Sequence, residues 1–189
     1  MTAKLPVSAI SDIAALTRTG FFVADTNVRF EWQKNTPVVA EHFPEAVRSS
    51  QPADETKVRQ IAGKSIQLSR FHADKLFHPT LSQKIKEEWA GNFFNGTRGD
   101  EMLVVESCGI VEGFCQVISR ERMAIVDLIA VNIQKSSQGL GTSMLNSLKH
   151  KYQNITAGTQ INNTSSINFY IKSGFKVHSC EHVLHLHIS

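Results

Sequence analysis

From residue 101 onward the apolar positions switch between a two-residue and a four-residue rhythm. Three runs, EMLVVES (101–107), IVEGFCQVIS (110–119) and ERMAIVDLIAV (121–131), are short and β-rich. They are separated at Cys108-Gly109 and Arg120-Glu121, which predicts three antiparallel strands joined by tight turns. The period then lengthens: Leu140, Met144, Leu145 and Leu148 mark a helix over residues 136–153. Residues 154–160 read as a strand and residues 163–173 as a helix stopped by Gly174. A final strand covers residues 175–187, where Val183, His185 and His187 alternate against Leu184 and Leu186. The order β-β-β-α-β-α-β joins a meander to a β-α-β crossover. It predicts an α/β (α+β) fold with a mixed, mostly antiparallel central sheet and helices on both faces.

The pattern is weaker upstream. Residues 8–18 carry a short helical period ended by Gly20, and residues 21–32 (FFVADTNVRFEW) read as a strand. Residues 34–54 hold three of the five prolines and predict an irregular connection. A short helix is expected over residues 55–63, a loop at SRFHAD (69–74), and a helix over residues 81–95, where Leu81, Ile85, Trp89 and Phe93 recur at four-residue spacing. This suggests an N-terminal extension, residues 1–54, in front of a domain covering residues 55–189.

Composition is that of an ordinary globular chain of 189 residues, 41% apolar and 20% charged. Cys108, Cys115 and Cys180 show no ligand spacing and read as thiols in a reducing compartment. No apolar stretch is long enough to span a bilayer, and MTAKLPVSAI is a poor signal peptide, so a cytoplasmic protein is expected. The net charge of +3 is unevenly spread. Between Leu128 and Cys180 there is no acidic residue but there are five lysines, at 135, 149, 151, 172 and 176. An acid-free half of this kind predicts contact with an anion. Aromatic residues and arginines are not interleaved there, which disfavours nucleic acid and favours a small polyanionic ligand.

Gly139 and Gly141 bracket Leu140 where the helical pattern begins. Glycines there let the backbone approach a ligand, and the free N–H groups of a helix start carry partial positive charge. Neither a Walker loop nor a dinucleotide fingerprint is present, because GxxxxGK[ST] is absent and Met144 stands where a third glycine would be required. Asp127 is the one polar residue in MAIVDLIAV, and an isolated carboxylate in such a strand must face solvent, a partner or a cavity. The histidine-rich tail, His178, His182, His185 and His187, lacks the Cys or carboxylate set that a metal site needs, so no metal is expected.

The segment from Val131 to Gly141 (VNIQKSSQGLG) resembles the acyl-CoA signature of the GNAT superfamily, V-x-P-x-x-[RQ]-x-x-G-x-[GA]. Ile133 replaces the usual proline and Ser136 the Arg or Gln. Asn163 to Phe175 (NTSSINFYIKSGF) fits the later GNAT element N-x-x-A-x-x-x-Y-x-x-x-G-F. The resemblance implies a GNAT-like fold and acetyl-CoA as cosubstrate. It places the pantetheine along Ile129, Ala130 and Val131, and the pyrophosphate on the amides of Ser136, Ser137, Gln138, Gly139, Leu140, Gly141 and Thr142. Lys135 and Gln138 are the side chains available to compensate for the altered Ser136 position. Asn163 caps the second helix near the cofactor. Tyr170 becomes the general acid for the departing thiolate, and Asp127 the base for the attacking amine, with His72 as the rival base.

The stretch from Thr156 to Ile188, with SRFHAD and Glu88-Trp89, is similar to the TDP-fucosamine acetyltransferase subgroup of that superfamily. This implies a dTDP-linked amino sugar as acceptor and a role in cell-surface polysaccharide synthesis. Arg70 and His72 are the candidate substrate-binding residues, Arg70 and Lys75 for the diphosphate. Other amine acceptors (an aminoglycoside, a polyamine or a protein amine) and a non-catalytic CoA-binding module are the alternatives. A homodimer is compatible with either.

Overall fold

The computed structural model describes residues 1–34, 46–68 and 78–187. In chain order the elements are β1 (Thr2–Pro6), α1 (Ile10–Arg18), β2 (Phe22–Gln33), β3 (Ala46–Ser49), α2 (Glu55–Ser65), α3 (Pro79–Gly91), β4 (Glu101–Ser107), β5 (Ile110–Arg120), β6 (Met123–Val131), α4 (Leu140–Lys151), β7 (Asn154–Gln160), α5 (Thr164–Lys172) and β8 (Lys176–His185). One-turn 3₁₀ segments precede α2 and α4. From β4 onward every element matches the pattern reading to within a few residues. The largest difference is α4, which begins at Leu140 and not at residue 136. Gly139 holds a left-handed φ of +85°, which keeps the preceding loop out of the helix.

The eight strands form one sheet in the order β1-β8-β2-β7-β6-β5-β4-β3, antiparallel except for the β6–β7 pair. This is the mixed, mostly antiparallel sheet that the element order predicts. The segment expected to be an N-terminal extension is built into it. β2 lies between β7 and β8, and its alternate residues Val28, Phe30 and Trp32 are buried in the main core. A continuous sheet therefore crosses the division expected at residue 54. The connection expected to be irregular over residues 34–54 contains β3, whose Ala46–Ser49 pairs with Leu103–Glu106 on β4. Arg48 on that strand donates to Asp54 and to Glu106, tying the sheet edge to the start of α2.

Alternation along the strands sorts side chains to two faces. On one face Leu140, Met144, Leu145 and Leu148 of α4 and Tyr170 of α5 pack against Phe30, Trp32, Val105, Cys115 and Val117. On the other, Val58, Ile61 and Ala62 of α2 and Ala90 of α3 cover Met102, Val104, Phe114 and Leu128. Helices thus occupy both faces. Among the described residues no helix is long and apolar enough to cross a membrane.

Candidate functional site

The centre of the sheet opens at a predictable place. The parallel β6–β7 ladder runs from Met123 opposite Asn154 to Val126 opposite Ala157 and then stops. Beyond it β6 continues to Val131, paired only with β5, while β7 continues to Gln160, paired only with β2. The two strands diverge because each follows its other neighbour. The β7-facing edge of residues 127–131 therefore keeps backbone polar groups free of sheet partners, and an extended chain can add to such an edge. Ile129, Ala130 and Val131 lie on this edge, with Ile129 and Val131 against the α4-side core and Ala130 against the other.

A donor-rich loop follows directly. The N–H of Asn132 donates to the carbonyl of Glu112 at 2.6 Å, and its side-chain amide donates to Glu112 Oε2 at 2.7 Å. These bonds anchor the strand end and the short turn of Ile133–Lys135. The Ser136 hydroxyl donates to the carbonyl of Ile133 at 2.7 Å. Ser137 and Gly139 both take positive φ, at 65° and 85°. No side chain caps α4, and the N–H groups of residues 137–142 donate to no described residue. That is a run of outward amides at the positive end of a helix dipole, the arrangement that receives phosphate. Gly141 has a second reason to be glycine: a Cβ there would lie 3.0 Å from the Phe169 ring, so its bareness lets α5 close against α4.

The five lysines of the acid-free half divide by role. Lys149 is only 6% exposed, and its ammonium donates to the Ser173 carbonyl at 2.7 Å, joining the ends of α4 and α5. Lys151 pairs with Glu101 at 2.6 Å. Both are engaged within the fold. Lys135 sits in the short turn before the donor loop.

Asn163 caps α5 as its sequence position predicts, accepting from the N–H of Ser166 at 3.1 Å. Seven residues on, Tyr170 is 2% exposed. Its ring stacks on Phe30 at 5.2 Å and meets Phe175 edge-on at 5.4 Å. Burial, and next the neighbouring Cys115, push its phenol above the usual tyrosine range. It is therefore a protonated group at neutral pH. Cys115 lies opposite Ile129 in the β5–β6 ladder, and Tyr170 shares one core cluster with Cys115, against which Ile129 packs. Burial, and then Glu101, likewise push the Cys115 thiol up, which keeps it an un-ionised core side chain.

Asp127 occupies a β-bulge. Gln116 pairs with Leu128 and Val117 with Val126, so Asp127 is the extra residue, at the level where β6 parts from β7. Its side chain is 13% exposed and is met by Arg98 through a two-pronged contact: Nε donates to Oδ2 at 2.7 Å and Nη2 to Oδ1 at 2.8 Å. Gln116 Nε2 adds a third bond, to Oδ2, at 2.9 Å. The Arg98 guanidinium lies 4.4 Å from the centre of the Trp89 ring. The sequence reading did not single out Arg98 or Gln116. Gln116 carries the same signal as Asp127, a polar residue in an apolar strand run (IVEGFCQVIS). Arg98 stands in the polar turn before β4 and carries no such signal.

Arg70, His72 and Lys75 lie outside the described residues. Of the tail histidines, His178 meets Glu31 at 3.4 Å and His182 hydrogen-bonds the Thr26 hydroxyl at 2.9 Å. Among the described residues no three His, Cys, Asp or Glu side chains converge as a metal site would require.

No family model matches the chain. It is 28% identical over 141 residues to the spore coat polysaccharide biosynthesis protein SpsD of Bacillus subtilis (strain 168). That match covers 72% of this chain and 48% of SpsD, so the chain spans about half the length of the curated relative it matches. Among solved structures it is similar to a GCN5-related N-acetyltransferase from Sphaerobacter thermophilus, with a TM-score of 0.66 at 13% identity over 97% of this chain and 59% of the other. A GNAT-family acetyltransferase from Colwellia psychrerythraea superposes with a TM-score of 0.64 at 11% identity, covering 97% of this chain and 63% of its own. The similarity reaches across nearly the whole chain. The chain has the GNAT acetyltransferase fold.

Proposed function

We propose that the protein is an N-acetyltransferase that moves an acetyl group from acetyl-CoA to the amine of a nucleotide-linked amino sugar. One observation carries the reading: the parted β6–β7 pair leads into an uncapped helix start whose amide donors have no partner among the described residues. Residues 136–142 would hold the pyrophosphate through backbone N–H groups, which explains why the Ile133 and Ser136 departures from the motif are tolerable. The exposed edge of Ile129, Ala130 and Val131 would pair with the amides of the pantetheine arm. Acetyl-CoA, when bound, supplies an activated thioester and leaves as a thiol.

The remaining chemistry belongs to the chain. The opening joins the two faces of the sheet, with Tyr170 beneath one and Asp127 on the other. The amine nitrogen forms a bond to the acyl carbon as the carbon–sulfur bond breaks. Backbone N–H on the β6 edge polarises the carbonyl oxygen, Tyr170 gives its proton to sulfur, and Asp127 receives the proton lost by the amine. Acceptor class rests on the subgroup resemblance and on the similarity to SpsD, named for polysaccharide biosynthesis. A cytoplasmic location suits acetyl-CoA, and a homodimer is compatible with the fold.

Two measurements test the reading. Calorimetry should show CoA binding to the folded protein, and no heat at millimolar CoA would end it. A panel of dTDP- and UDP-linked amino sugars, aminoglycosides and polyamines, followed by thiol release from acetyl-CoA, should single out an amino sugar. Turnover confined to another amine would replace the acceptor while keeping the chemistry.

A further inference from the structure

The three bonds on Asp127 use most of what a carboxylate can accept. Two oxygens offer about four lone-pair directions. Arg98 Nε and Gln116 Nε2 take both directions on Oδ2, and Arg98 Nη2 takes one on Oδ1. A single direction on Oδ1 remains. The other side of this arrangement is Gln116 itself. It is wholly buried, and its Oε1 meets no hydrogen-bond partner among the described residues. Turning the amide over would not help, because Oε1 would then face the carboxylate oxygen that Nε2 now serves. The fold therefore leaves a bare buried carbonyl in order to set an amide donor on Asp127. A methionine of similar volume would pack there with no orphan acceptor. Arg98 in turn is steadied by the Trp89 ring below its guanidinium plane.

We propose that Arg98 and Gln116 are positioning residues of the acceptor site, acting through Asp127 by leaving it one open lone pair, on Oδ1, for the substrate amine. The proposal rests on the transferase reading. It assigns a cause to an arrangement that packing alone does not favour. A group placed for function at a cost to stability is recognised when its removal separates the two.

The experiment is a set of variants in the full chain, assayed with acetyl-CoA and dTDP-4-amino-4,6-dideoxygalactose. Arg98→Gln should lower kcat about 10²-fold, the scale of a misplaced reacting group, with the KM for acetyl-CoA unchanged. Added to Asp127→Asn, the same change should cost no more than about twofold, the ordinary scatter of additivity. Gln116→Met should lower kcat in the wild-type background while leaving the denaturation midpoint unchanged or raised. Arg98→Lys serves in place of Arg98→Gln should the latter fold poorly, and should retain part of the rate. Equal losses from Arg98→Gln with and without Asp127 would overturn the proposal, because Arg98 would then act independently of it. So would a Gln116→Met variant that is less stable and fully active, since Gln116 would be core alone. Wild-type protein that turns over no amine of any class fails differently, by removing the transferase reading itself.

Discussion

Replacing Tyr170 with phenylalanine removes one oxygen from a buried aromatic cluster. The packing consequences can be worked directly. Stacking on Phe30 at 5.2 Å, the edge contact with Phe175 at 5.4 Å and the tilted contact with Phe169 at 5.2 Å all involve the ring and survive. No described residue hydrogen-bonds the hydroxyl. Its deletion therefore sacrifices no hydrogen bond to a described residue. Stability should hold or rise. Catalysis should not. If the phenol gives its proton to the departing thiolate, turnover should fall by about 10²- to 10⁴-fold, the range for positioned proton transfer. That corresponds to roughly 3–5 kcal/mol of lost transition-state stabilisation, at about 1.4 kcal/mol per tenfold. The assay pairs urea denaturation with single-turnover thiol release, so that product release does not mask chemistry. Calorimetry should find CoA affinity unchanged. An acyl donor with a more acidic thiol should recover part of the rate. A variant within about threefold of wild type in single turnover, too small a ΔΔG‡ for a proton donor, refutes the assignment and leaves Tyr170 as core.

Two further outcomes follow from the geometry of the same region. Gly139→Ala forces a side chain into a backbone with φ of +85°, and should cost roughly 1–2 kcal/mol in denaturant titrations. It should also weaken CoA binding, because the donor loop is held by that conformation; Gly139→Asn, which tolerates left-handed backbone, should lose less. Unchanged CoA affinity in a folded Gly139→Ala protein would dissociate the loop from the cofactor. The second outcome concerns alkaline pH. Cys115 and Tyr170 are both held protonated in the fold, whereas in the unfolded chain they ionise near their ordinary values of 9.0 and 10.0. Their contribution is complete below pH 9 and diminishes as pH rises beyond it, since only the unfolded state gains by losing the protons. Denaturation midpoints measured from pH 8 to 11 should fall, and less steeply for Tyr170→Phe; an equal slope in both would mean that Tyr170 is not buried as described.

Much of this protein was legible along the chain because its C-terminal half obeys local rules. The two-residue and four-residue rhythms from residue 101 onward report burial on one face of each element, and burial is what orders the sheet and helices there. The glycine turn, the Asn163 cap and the Gly174 stop are local backbone chemistry, and each stands where its spacing predicts. Asp127 was visible as the polar exception in an apolar run.

Other features depend on contacts that no local pattern encodes. The place of β2 between β7 and β8 follows from where Val28, Phe30 and Trp32 find a core, which begins only at Leu103 in sequence. β1 and β3 are short edge strands whose pairing partners, β8 and β4, are also distant in sequence, Thr2 opposite His185 and Ala46 opposite Glu106. The bulge that aims Asp127 is a register mismatch between two strands, and neither strand alone records it. The opening between β6 and β7 likewise involves four strands, since beyond Val126 β6 pairs with β5 while β7 pairs with β2. Arg98 reaches Asp127 across 29 residues through a turn. The sequence by itself determined which residues are proposed to bind an anion and to give a proton. Tertiary structure decided which polar groups hold one another, because hydrogen-bond partners are set by the assembled sheet and not by distance along the chain.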